Sequence, residues 1–370
     1  MTTRGRTGLL HHALALRARA AAAAVTGSVL VAMAGGCTES RDGGADPAVP
    51  GSGGEVAGTS VEDVPAAVRG PALPGTDLFL DPDSPAAEEV TELTAAGRPD
   101  DAREVGKIAA RPVAHWLTDP DPGRIRAEAA DLVVQAERRK QMPVLVIYYI
   151  PKRDCGSYSA GGAPDGAAYR RWVHAVAAGI SGHPATVVVE PDAVAQTLDA
   201  CRAVRDERLR LLGEAISVLR RAGARIYLDA GNPDWIKDIG ALAGALRAAG
   251  IEQADGFALN VSNFVSTEAN VGYGNRLSDA LGGAHFVVDT SRNGNGPWSG
   301  AGGTGTAPNW CNPPGRALGT APTTRTGLPR VDALLWVKRP GESDGACRPG
   351  EPPAGQWWAE YALDLARRSN

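Results

Sequence analysis

The sequence predicts an α/β fold, a (β/α) barrel of about seven parallel strands. Short apolar runs rich in β-branched residues alternate with longer segments of helical composition. This alternation is typical of βαβ units wound into one parallel sheet. Most of the apolar runs have no polar face, as expected of strands that are covered on both sides. No repeat of fixed period is visible, which excludes a solenoid.

The predicted elements follow one another without long interruptions. Strands are predicted at 112–117, 144–150, 186–190, 225–230, 256–261, 285–290 and 333–338. Helices are predicted between them at about 122–140, 165–180, 205–222, 235–249 and 266–282, with a closing helix over 357–368. Glycines punctuate several of the joins, as at Gly250 and Gly282, where a helix commonly ends on a left-handed residue.

The first 36 residues are predicted to be a signal peptide of the lipoprotein type. Residues 1–19 contain four arginines and no acidic residue, and an apolar run over 20–33 follows them. A basic region, a short apolar region and small residues before a cleavage point define such a peptide. A membrane-spanning helix is the alternative, but the run is short for a bilayer and has no basic flank after it.

Cys37 is predicted to be lipidated. The small residues before it resemble the end of a bacterial lipobox, although Ala34 stands where Leu is usual. A lipid anchor would hold the protein at the extracellular face of the cell membrane. Ordinary cleavage, with secretion and a spare thiol at this position, is the alternative. Residues 37–72 are polar and predict a flexible linker, and 73–370 are predicted to form one folded domain.

Cysteine usage and charge narrow the classes of function. Four further cysteines, an even number, predict two disulfides in an exported chain, and sequence alone allows three pairings. No histidines stand at zinc-ligand spacing, so we expect neither a metal nor a cofactor. Without the four arginines of the leader, 34 basic and 42 acidic residues give a net charge of −8, which argues against a nucleic-acid partner. We expect a monomer.

Nearly every predicted strand is followed by polar residues. In a barrel these carboxyl ends converge on one mouth, where active sites lie. A single acidic residue after a strand is more often a helix cap, but six strands ending in this way favour a shared site. The set is acidic and lacks a histidine cluster, which indicates paired-carboxylate chemistry. Its members are Arg153, Asp154, Glu190, Asp192, Asp229, Asn260, Asn263, Asp289, Lys338, Glu342 and Asp344.

Several of these segments resemble glycoside hydrolase family 6. Residues 148–155 (YYIPKRDC) resemble the family's Y-x-[LI]-P-x-R-D-C segment, and 188–192 (VVEPD) are similar to its acid-bearing strand. Further matches follow in the family's order at 226–231, 260–264, 289–294, 310–313, 335–338 and 340–345. The resemblance runs from about residue 77 to the C-terminus. It implies a distorted (β/α) barrel with fewer than eight closed strands.

The resemblance also implies an inverting endoglucanase that hydrolyses internal β-1,4-glucosidic bonds. Inverting enzymes hold two carboxyl groups about 6.5–9.5 Å apart, with room for a water molecule. Asp192 matches the general acid, and Asp154 the carboxylate that keeps that acid protonated. Asp344 matches the candidate base, which acts through water, and Asp229 would orient the site by hydrogen bonds.

Other matched positions concern the sugar. Tyr148 stands where the family crowds the −1 sugar, and Ser159 loosely where a hydroxyl holds the attacking water. Aromatic platforms and hydroxyl-binding groups, which a neutral glucan requires, match Trp116, Trp235, Trp310, Asn260, Asn263, Lys338 and Glu342. The resemblance implies the disulfides Cys155–Cys201 and Cys311–Cys347. Trp336 is expected in the core, whereas Trp357 and Trp358 fit either role.

Three departures stand next to the expected chemistry. Asn232 replaces the histidine of the family's D-A-G-H segment, Leu259 replaces a threonine, and Tyr149 stands where asparagine is common. A surface glycan-binding lipoprotein with little or no activity is therefore an alternative, and retention of the three aspartates favours the enzyme. A metal-dependent deacetylase is disfavoured by the missing histidine cluster.

An exo-acting cellobiohydrolase is a further alternative. Family 6 exo-enzymes roof their sites with two long loops, and one of these follows the G-E-x-D-G segment. Here only residues 346–356 separate that segment from the closing helix, and three of them are prolines. The sequence therefore predicts an open cleft and cutting inside chains.

Overall fold

The computed structural model describes residues 73–300 and 308–369. The predicted signal peptide (1–36), the linker (37–72) and Cys37 lie outside the described residues. Within the described part of the chain, no helix is long and apolar enough to span a membrane.

Seven parallel strands form a single sheet in chain order. The strands are β1 (His115–Leu117), β2 (Val144–Ile147), β3 (Thr186–Val189), β4 (Arg225–Asp229), β5 (Gly256–Leu259), β6 (His285–Asp289) and β7 (Val331–Leu335). Each pairs in parallel with the next. The sheet curls so that its two edges approach each other. Next to β1 and β7, the backbone N–H of Ala114 donates to the carbonyl oxygen of Trp336 at 2.9 Å, and no strand pairing closes the sheet among the described residues. The predicted distorted barrel is confirmed.

Both faces of the strands are buried, which explains their continuous apolar composition. Alternate residues pack into the barrel interior, away from the helices: Val146, Val188, Tyr227, Ala258 and Val287. The residues between them pack outward against the helical layer: Leu145, Val187, Ile226, Phe257 and Phe286. Successive residues of each strand point to opposite faces, but both faces are apolar, so no alternation of polar and apolar residues is visible in the sequence.

The described residues form eight α-helices. Five follow strands as predicted: α3 (Pro122–Arg138), α4 (Gly166–Ile180), α5 (Arg205–Arg221), α6 (Ile239–Ala248) and α7 (Thr267–Ala280). The closing helix is α8 (Ala359–Arg367), and two helices that the sequence analysis did not predict precede the sheet, α1 (Pro85–Ala95) and α2 (Pro99–Ala109). Both begin with a proline at the first helical position, a start signal that was available in the sequence.

The beginning of α6 differs from the prediction. The helix was expected from residue 235, but it begins at Ile239, after Asp238 caps it by accepting the backbone N–H of Ala241. Residues 235–238 form a loop instead, and this loop leaves Trp235 on the rim of the cleft.

The first, second and last helices share a separate hydrophobic cluster with the end of the sheet. Trp336 lies in this cluster, is buried, and donates its indole N–H to the carbonyl oxygen of Thr320, so its prediction as a core residue is confirmed. Trp357 and Trp358 pack against the same cluster, which assigns them to packing. The two disulfides join Cys155 to Cys201 and Cys311 to Cys347, as the resemblance implied.

Helix α7 lies very close to β6, and Gly274 makes that approach possible. A Cβ atom at this position would stand 2.4 Å from the ring of Phe286, which itself stacks on Phe257. We expect Gly274→Ala to lower the free energy of unfolding by about 1–3 kcal/mol, the usual cost of forcing atoms into a packed core. Guanidinium denaturation measures this loss.

The same helix offers a matched control. Around Gly272 a Cβ atom would meet only the end of the Arg276 side chain, at 3.9 Å. We expect Gly272→Ala to raise stability by up to about 1 kcal/mol, because alanine favours the helix over glycine. Equal effects of the two substitutions would contradict the assigned contact with Phe286.

A candidate active site at the carboxyl ends of the strands

A cleft of about 1100 Å³ opens at the carboxyl ends of the strands. The residues that line it follow all seven strands along the chain, as the convergence of strand ends in a barrel requires, and Trp116 lies on β1 itself. Eleven of the side chains expected at the site are among them: Trp116, Tyr148, Asp154, Ser159, Asp192, Trp235, Asn263, Trp310, Lys338, Glu342 and Asp344.

The turn after β3 presents Asp192 in an unusual backbone conformation. Glu190 and Asp192 have φ angles of 46° and 70°, in the left-handed region that non-glycine residues avoid. The fully buried Glu190 side chain stabilises this turn by accepting the backbone N–H groups of Tyr149 and Ile150, both at 3.0 Å. Backbone strain of this kind persists only where surrounding bonds enforce it, and it is frequent at functional sites.

A second buried carboxylate, that of Asp229, binds the backbone of Asp192. Asp229 Oδ1 accepts the backbone N–H of Asp192 at 2.9 Å and that of Gly231 at 3.1 Å. Asp229 is completely buried and does not line the cleft, so its recognisable contacts are with the backbone of the turn that carries Asp192. Burial raises its pKa to about 7, although the two N–H donors oppose that rise.

The surroundings of Asp192 favour its uncharged form. Burial raises its pKa well above the usual value, and the neighbouring charges of Asp229, Asp154 and Asp344 raise it further, whereas Arg208 opposes the rise. A carboxyl group in this environment retains its proton to a higher pH than a free aspartate does. It is therefore able to act as a general acid.

Asp154 lies on the loop after β2, and both of its oxygens are bound. Its Oδ2 accepts the backbone N–H of Ser159 at 2.8 Å, and its Oδ1 accepts the side-chain amide of Gln196 at 3.0 Å. The disulfide from Cys155 to Cys201 anchors the loop next to this residue. Ser159 lines the cleft, and it binds Asp154 through its backbone N–H.

Asp344 is buried in an ion pair. Both of its oxygens accept hydrogen bonds from the guanidinium of Arg292, each at 2.9 Å, and Oδ2 also accepts the backbone N–H of Asn312 at 3.0 Å. The Arg292 side chain has no solvent exposure. These three hydrogen bonds occupy three of the roughly four acceptor positions of the carboxylate, which leaves about one for a water molecule. The sequence analysis quoted the segment that contains Arg292 but missed its role.

Two aromatic rings form one wall beside the carboxyl groups. The rings of Trp116 and Tyr148 meet edge to face, with centroids 5.2 Å apart. The indole N–H of Trp116 donates to the carbonyl oxygen of Val337 at 2.8 Å, which ties the first strand to the end of the last one. The Arg153 guanidinium lies 4.6 Å from the centre of the Tyr148 ring. Both rings are thus held rigidly at the mouth.

The segment after β7 supplies charged groups. Lys338 Nζ lies 3.6 Å from Glu342 Oε2 and 4.0 Å from Asp344, and it donates to the carbonyl oxygen of Ser343 at 3.2 Å. Arg339 pairs with the other oxygen of Glu342 at 2.9 Å. Both Lys338 and Glu342 line the cleft.

Asn232, which replaces the expected histidine, has an identifiable structural task. Its side-chain oxygen accepts the backbone N–H groups of Asp234 at 3.0 Å and of Trp235 at 3.2 Å. This asparagine turn presents Trp235 at the rim of the cleft. The other two departures lie beside the cleft without lining it. Leu259 is buried in the main core and Tyr149 packs on Trp172 with ring centroids 5.0 Å apart.

Asn260 does not reach the cleft, which corrects the expectation that it binds substrate. Its side chain is completely buried. Its amide donates to the carbonyl oxygens of Val265 and Asp289, and its side-chain oxygen accepts the N–H of Val265. Asn260 therefore builds the loop after β5, and Asn263 is the residue of this loop that lines the cleft.

Tyr158 is a lining residue that the sequence analysis missed. It is 43% exposed, and its ring meets that of Trp310, which is 37% exposed, edge to face with centroids 5.6 Å apart. Two loops, each anchored by a disulfide, carry these rings. Only its place between Asp154 and Ser159 in the sequence could have indicated this position.

Known proteins resemble the chain in sequence and in fold. The model of glycosyl hydrolases family 6 matches residues 73–369. Endoglucanase A of Cellulomonas fimi is 46% identical over 264 residues, which cover 71% of this chain and 56% of that protein. This chain therefore spans little more than half the length of that relative. Endoglucanase 1 of Streptomyces halstedii is 40% identical over 313 residues, covering 81% of this chain and 92% of that protein.

A solved structure agrees with both. The endoglucanase Cel6 from Mycobacterium tuberculosis, solved in complex with methyl-cellobiosyl-4-deoxy-4-thio-β-D-cellobioside, superposes with a TM-score of 0.74 at 43% identity. The match covers 80% of this chain and 98% of that one. Since the family model extends over the whole barrel and the fold agrees with that of a solved member, this chain belongs to glycosyl hydrolases family 6.

Proposed function

We propose that this protein is an inverting endoglucanase that hydrolyses internal β-1,4-glucosidic bonds, with Asp192 as the general acid. The observation that carries the proposal is the pairing of two unlike carboxyl groups in one cleft. The raised pKa of Asp192, due first to burial, favours a proton donor, whereas Asp344 is locked in an ion pair with Arg292. Environments that separate two carboxyl groups in this way mark the acid and base of a glycosidase.

The other side chains expected in the site each take part in this reaction. Asp192 donates its proton to the leaving oxygen. The negative charge of the neighbouring Asp154 keeps that proton on Asp192 until it is transferred. The attacking water gives a proton to a further water molecule as it bonds to the anomeric carbon, and that second water gives one of its own protons to the carboxylate of Asp344. Asp229 fixes the backbone of Asp192. Tyr148 shapes the space for the −1 sugar, and Ser159 stands near the attacking water.

A neutral glucan suits the surfaces of the cleft. Trp116, Trp235 and Trp310 offer flat apolar faces on which sugar rings stack. Lys338, Glu342 and Asn263 supply hydrogen-bond partners for hydroxyl groups. The relative from Mycobacterium tuberculosis, an endoglucanase by its description, was solved with a thio-linked cellobioside compound, which supports this class of substrate.

The endo mode rests on the shape of two segments. Residues 345–356 fold back on Ser343. The backbone N–H of Ser343 donates to the carbonyl oxygen of Gln356 at 2.9 Å, and the carbonyl oxygen of Ser343 accepts the backbone N–H of Gly355 at 3.0 Å. After β4, the turn at Asn232 leads through a short loop into α6. Two segments held down in this way leave the cleft accessible from the side.

We also propose export and anchoring through a lipid on Cys37. The basic and apolar leader and the small residues before the cysteine support this, and two acyl chains hold a protein durably on a membrane. Metabolic labelling with a radioactive fatty acid, compared with Cys37→Ser, tests it. An unlabelled natural protein would exclude the anchor.

The acid role of Asp192 is testable by substitution. We expect Asp192→Ala to reduce hydrolysis of unactivated glucan by about 10²–10⁴, the usual contribution of general acid catalysis. An aryl β-cellobioside with a good leaving group needs no proton, so its hydrolysis should be partly spared. Rates on the two substrates provide the measurement, and near-natural activity of the variant on carboxymethyl-cellulose would contradict the assignment.

The stereochemistry of the natural protein's products is the accompanying control. A single displacement inverts the β-linkage, so the first reducing ends should be α-anomers. Proton NMR of early products detects this before mutarotation. Initial β-anomers would mean a covalent intermediate and would refute inversion.

The dependence of activity on pH should follow the same electrostatics. Since Asp192 acts while protonated, kcat should fall as pH rises through its pKa, which burial and then Asp229 and Asp154 hold up. Asp154→Asn removes one of these negative charges, so the alkaline limb of kcat should move to lower pH. Asp199→Asn is the matched control, because Asp199 lines the cleft but is exposed. A limb that stays in place or moves to higher pH would contradict the coupling.

The endo mode predicts how a polymer is degraded. A chain that enters an open cleft sideways is cut at internal bonds, so the viscosity of carboxymethyl-cellulose should fall steeply before many reducing ends appear. Viscometry and a reducing-sugar assay on the same samples measure this. Steady release of cellobiose at constant viscosity would indicate an exo-enzyme instead.

A further inference from the structure

Two buried polar side chains, Arg208 and Gln196, join an outer helix to the acid pair of the cleft. Arg208 on α5 contacts Gln196, and Gln196 contacts Asp154. We propose that Gln196 and Arg208 are positioning residues that hold the carboxylate of Asp154 in place beside Asp192. The inference rests on the proposed hydrolase activity and adds to it the groups that fix the acid pair.

Gln196 links both members of the pair. It stands one turn after Asp192, and its backbone N–H donates to the carbonyl oxygen of Asp192 at 2.9 Å. Its side-chain Nε2 donates to Asp154 Oδ1 at 3.0 Å. The residue is only 6% exposed, although it lines the cleft. Gln196 therefore sets the separation between the segment after β3 and the carboxylate on the loop after β2.

Arg208 determines which way the amide of Gln196 points. A guanidinium has donors and no acceptor, so the group that faces it must be the amide oxygen. Arg208 Nη1 lies 2.9 Å from Gln196 Oε1. The amide nitrogen of Gln196 is then directed at Asp154, and it can donate there because an ionised carboxylate only accepts hydrogen bonds. In the absence of Arg208, the amide could turn over and place its oxygen against the oxygen of Asp154.

The same guanidinium holds the loop that carries Asp154. Its Nη2 donates to the carbonyl oxygen of Lys152 at 2.8 Å and to that of Pro151 at 3.3 Å. Lys152 and Asp154 both have a φ of 54°, so this stretch of loop is strained and needs outside support. One buried cation thus stabilises both the backbone before Asp154 and the amide that binds its side chain.

Arg208 is retained at an energetic cost. Its side chain is 2% exposed, and among the described residues no carboxylate lies within the 4.0 Å range of an ion pair with it. Burying a guanidinium without a paired anion is unfavourable, and burial lowers its pKa. The negative charges that offset this cost are those of Glu190 and then of Asp154, and the guanidinium is joined to Asp154 through the Gln196 amide.

Gln196→Glu is the decisive variant, because it preserves shape and reverses one polarity. The new carboxylate keeps its contact with Arg208, now as an ion pair, but turns its second oxygen toward Asp154. We expect kcat on a soluble cello-oligosaccharide to fall by about 10–100-fold, as for a small displacement of a catalytic group, while KM stays within about threefold. The melting temperature should remain unchanged or rise.

Two further variants separate positioning from stability. Gln196→Met removes the amide without adding charge and should lose a similar share of kcat. Thr197→Val is the matched control, because Thr197 is completely buried on the same turn and its hydroxyl donates to the carbonyl oxygen of Val194. This variant should lower the melting temperature and leave kcat close to that of the natural protein.

The outcomes distinguish this inference from the activity on which it rests. If the natural protein hydrolyses the oligosaccharide and both Gln196 variants keep kcat within about threefold of it, the positioning role is wrong and the proposed function stands. The role is also wrong if Thr197→Val loses as much kcat as the Gln196 variants do, because the loss would then follow the fall in melting temperature and not the missing amide. If Gln196→Met does not fold, Gln196→Glu decides alone. A natural protein without hydrolytic activity would refute both proposals.

Discussion

The burial of Asp192 among other carboxyl groups is the constraint on which much of the structure around the cleft depends. A lone aspartate in water loses its proton far below neutral pH. Here burial, with Asp229, Asp154 and Asp344 nearby, makes the charged form unfavourable. These neighbours would repel one another if nothing held them, so each is bound in turn. Asp229 accepts two backbone N–H groups, and Asp344 pairs with Arg292.

The same arrangement explains why strain concentrates at the strand ends. The backbone after β3 has left-handed angles at Glu190 and Asp192, and the loop after β2 has them at Asp154. Fully buried groups enforce both: Glu190 binds the N–H groups after β2, and Arg208 binds the carbonyl groups before Asp154. The rigid sheet below supplies a fixed base from which these bonds act. Stability is thus given up locally so that the reacting groups are positioned before a substrate arrives.

Polar side chains behind the cleft divide into those that face it and those that support it. Asp154, Asp192 and Lys338 line it, whereas Asn260 and Asp229 are completely buried. All of them follow strands, and all are amides, acids or amines, so their chemistry in the sequence is alike. The difference is one of depth, which depends on the curl of the sheet and the course of each loop.

The sequence by itself determined the parallel sheet, the order of its strands, the convergence of acidic groups on one mouth and, by resemblance, the two disulfides. These follow from local composition and from residues that stand in fixed order along the chain. Only the tertiary structure decided that Asn260 is internal, that Arg292 neutralises Asp344, and that Arg208 reaches Asp154 through Gln196. Arg208 stands four residues before Leu212 and seven before Ala215, so helical spacing places it on the buried face of α5, whereas Arg210 is exposed. Its partners are another matter, because Gln196 and the loop before Asp154 lie in other segments, and no pattern within one segment names them.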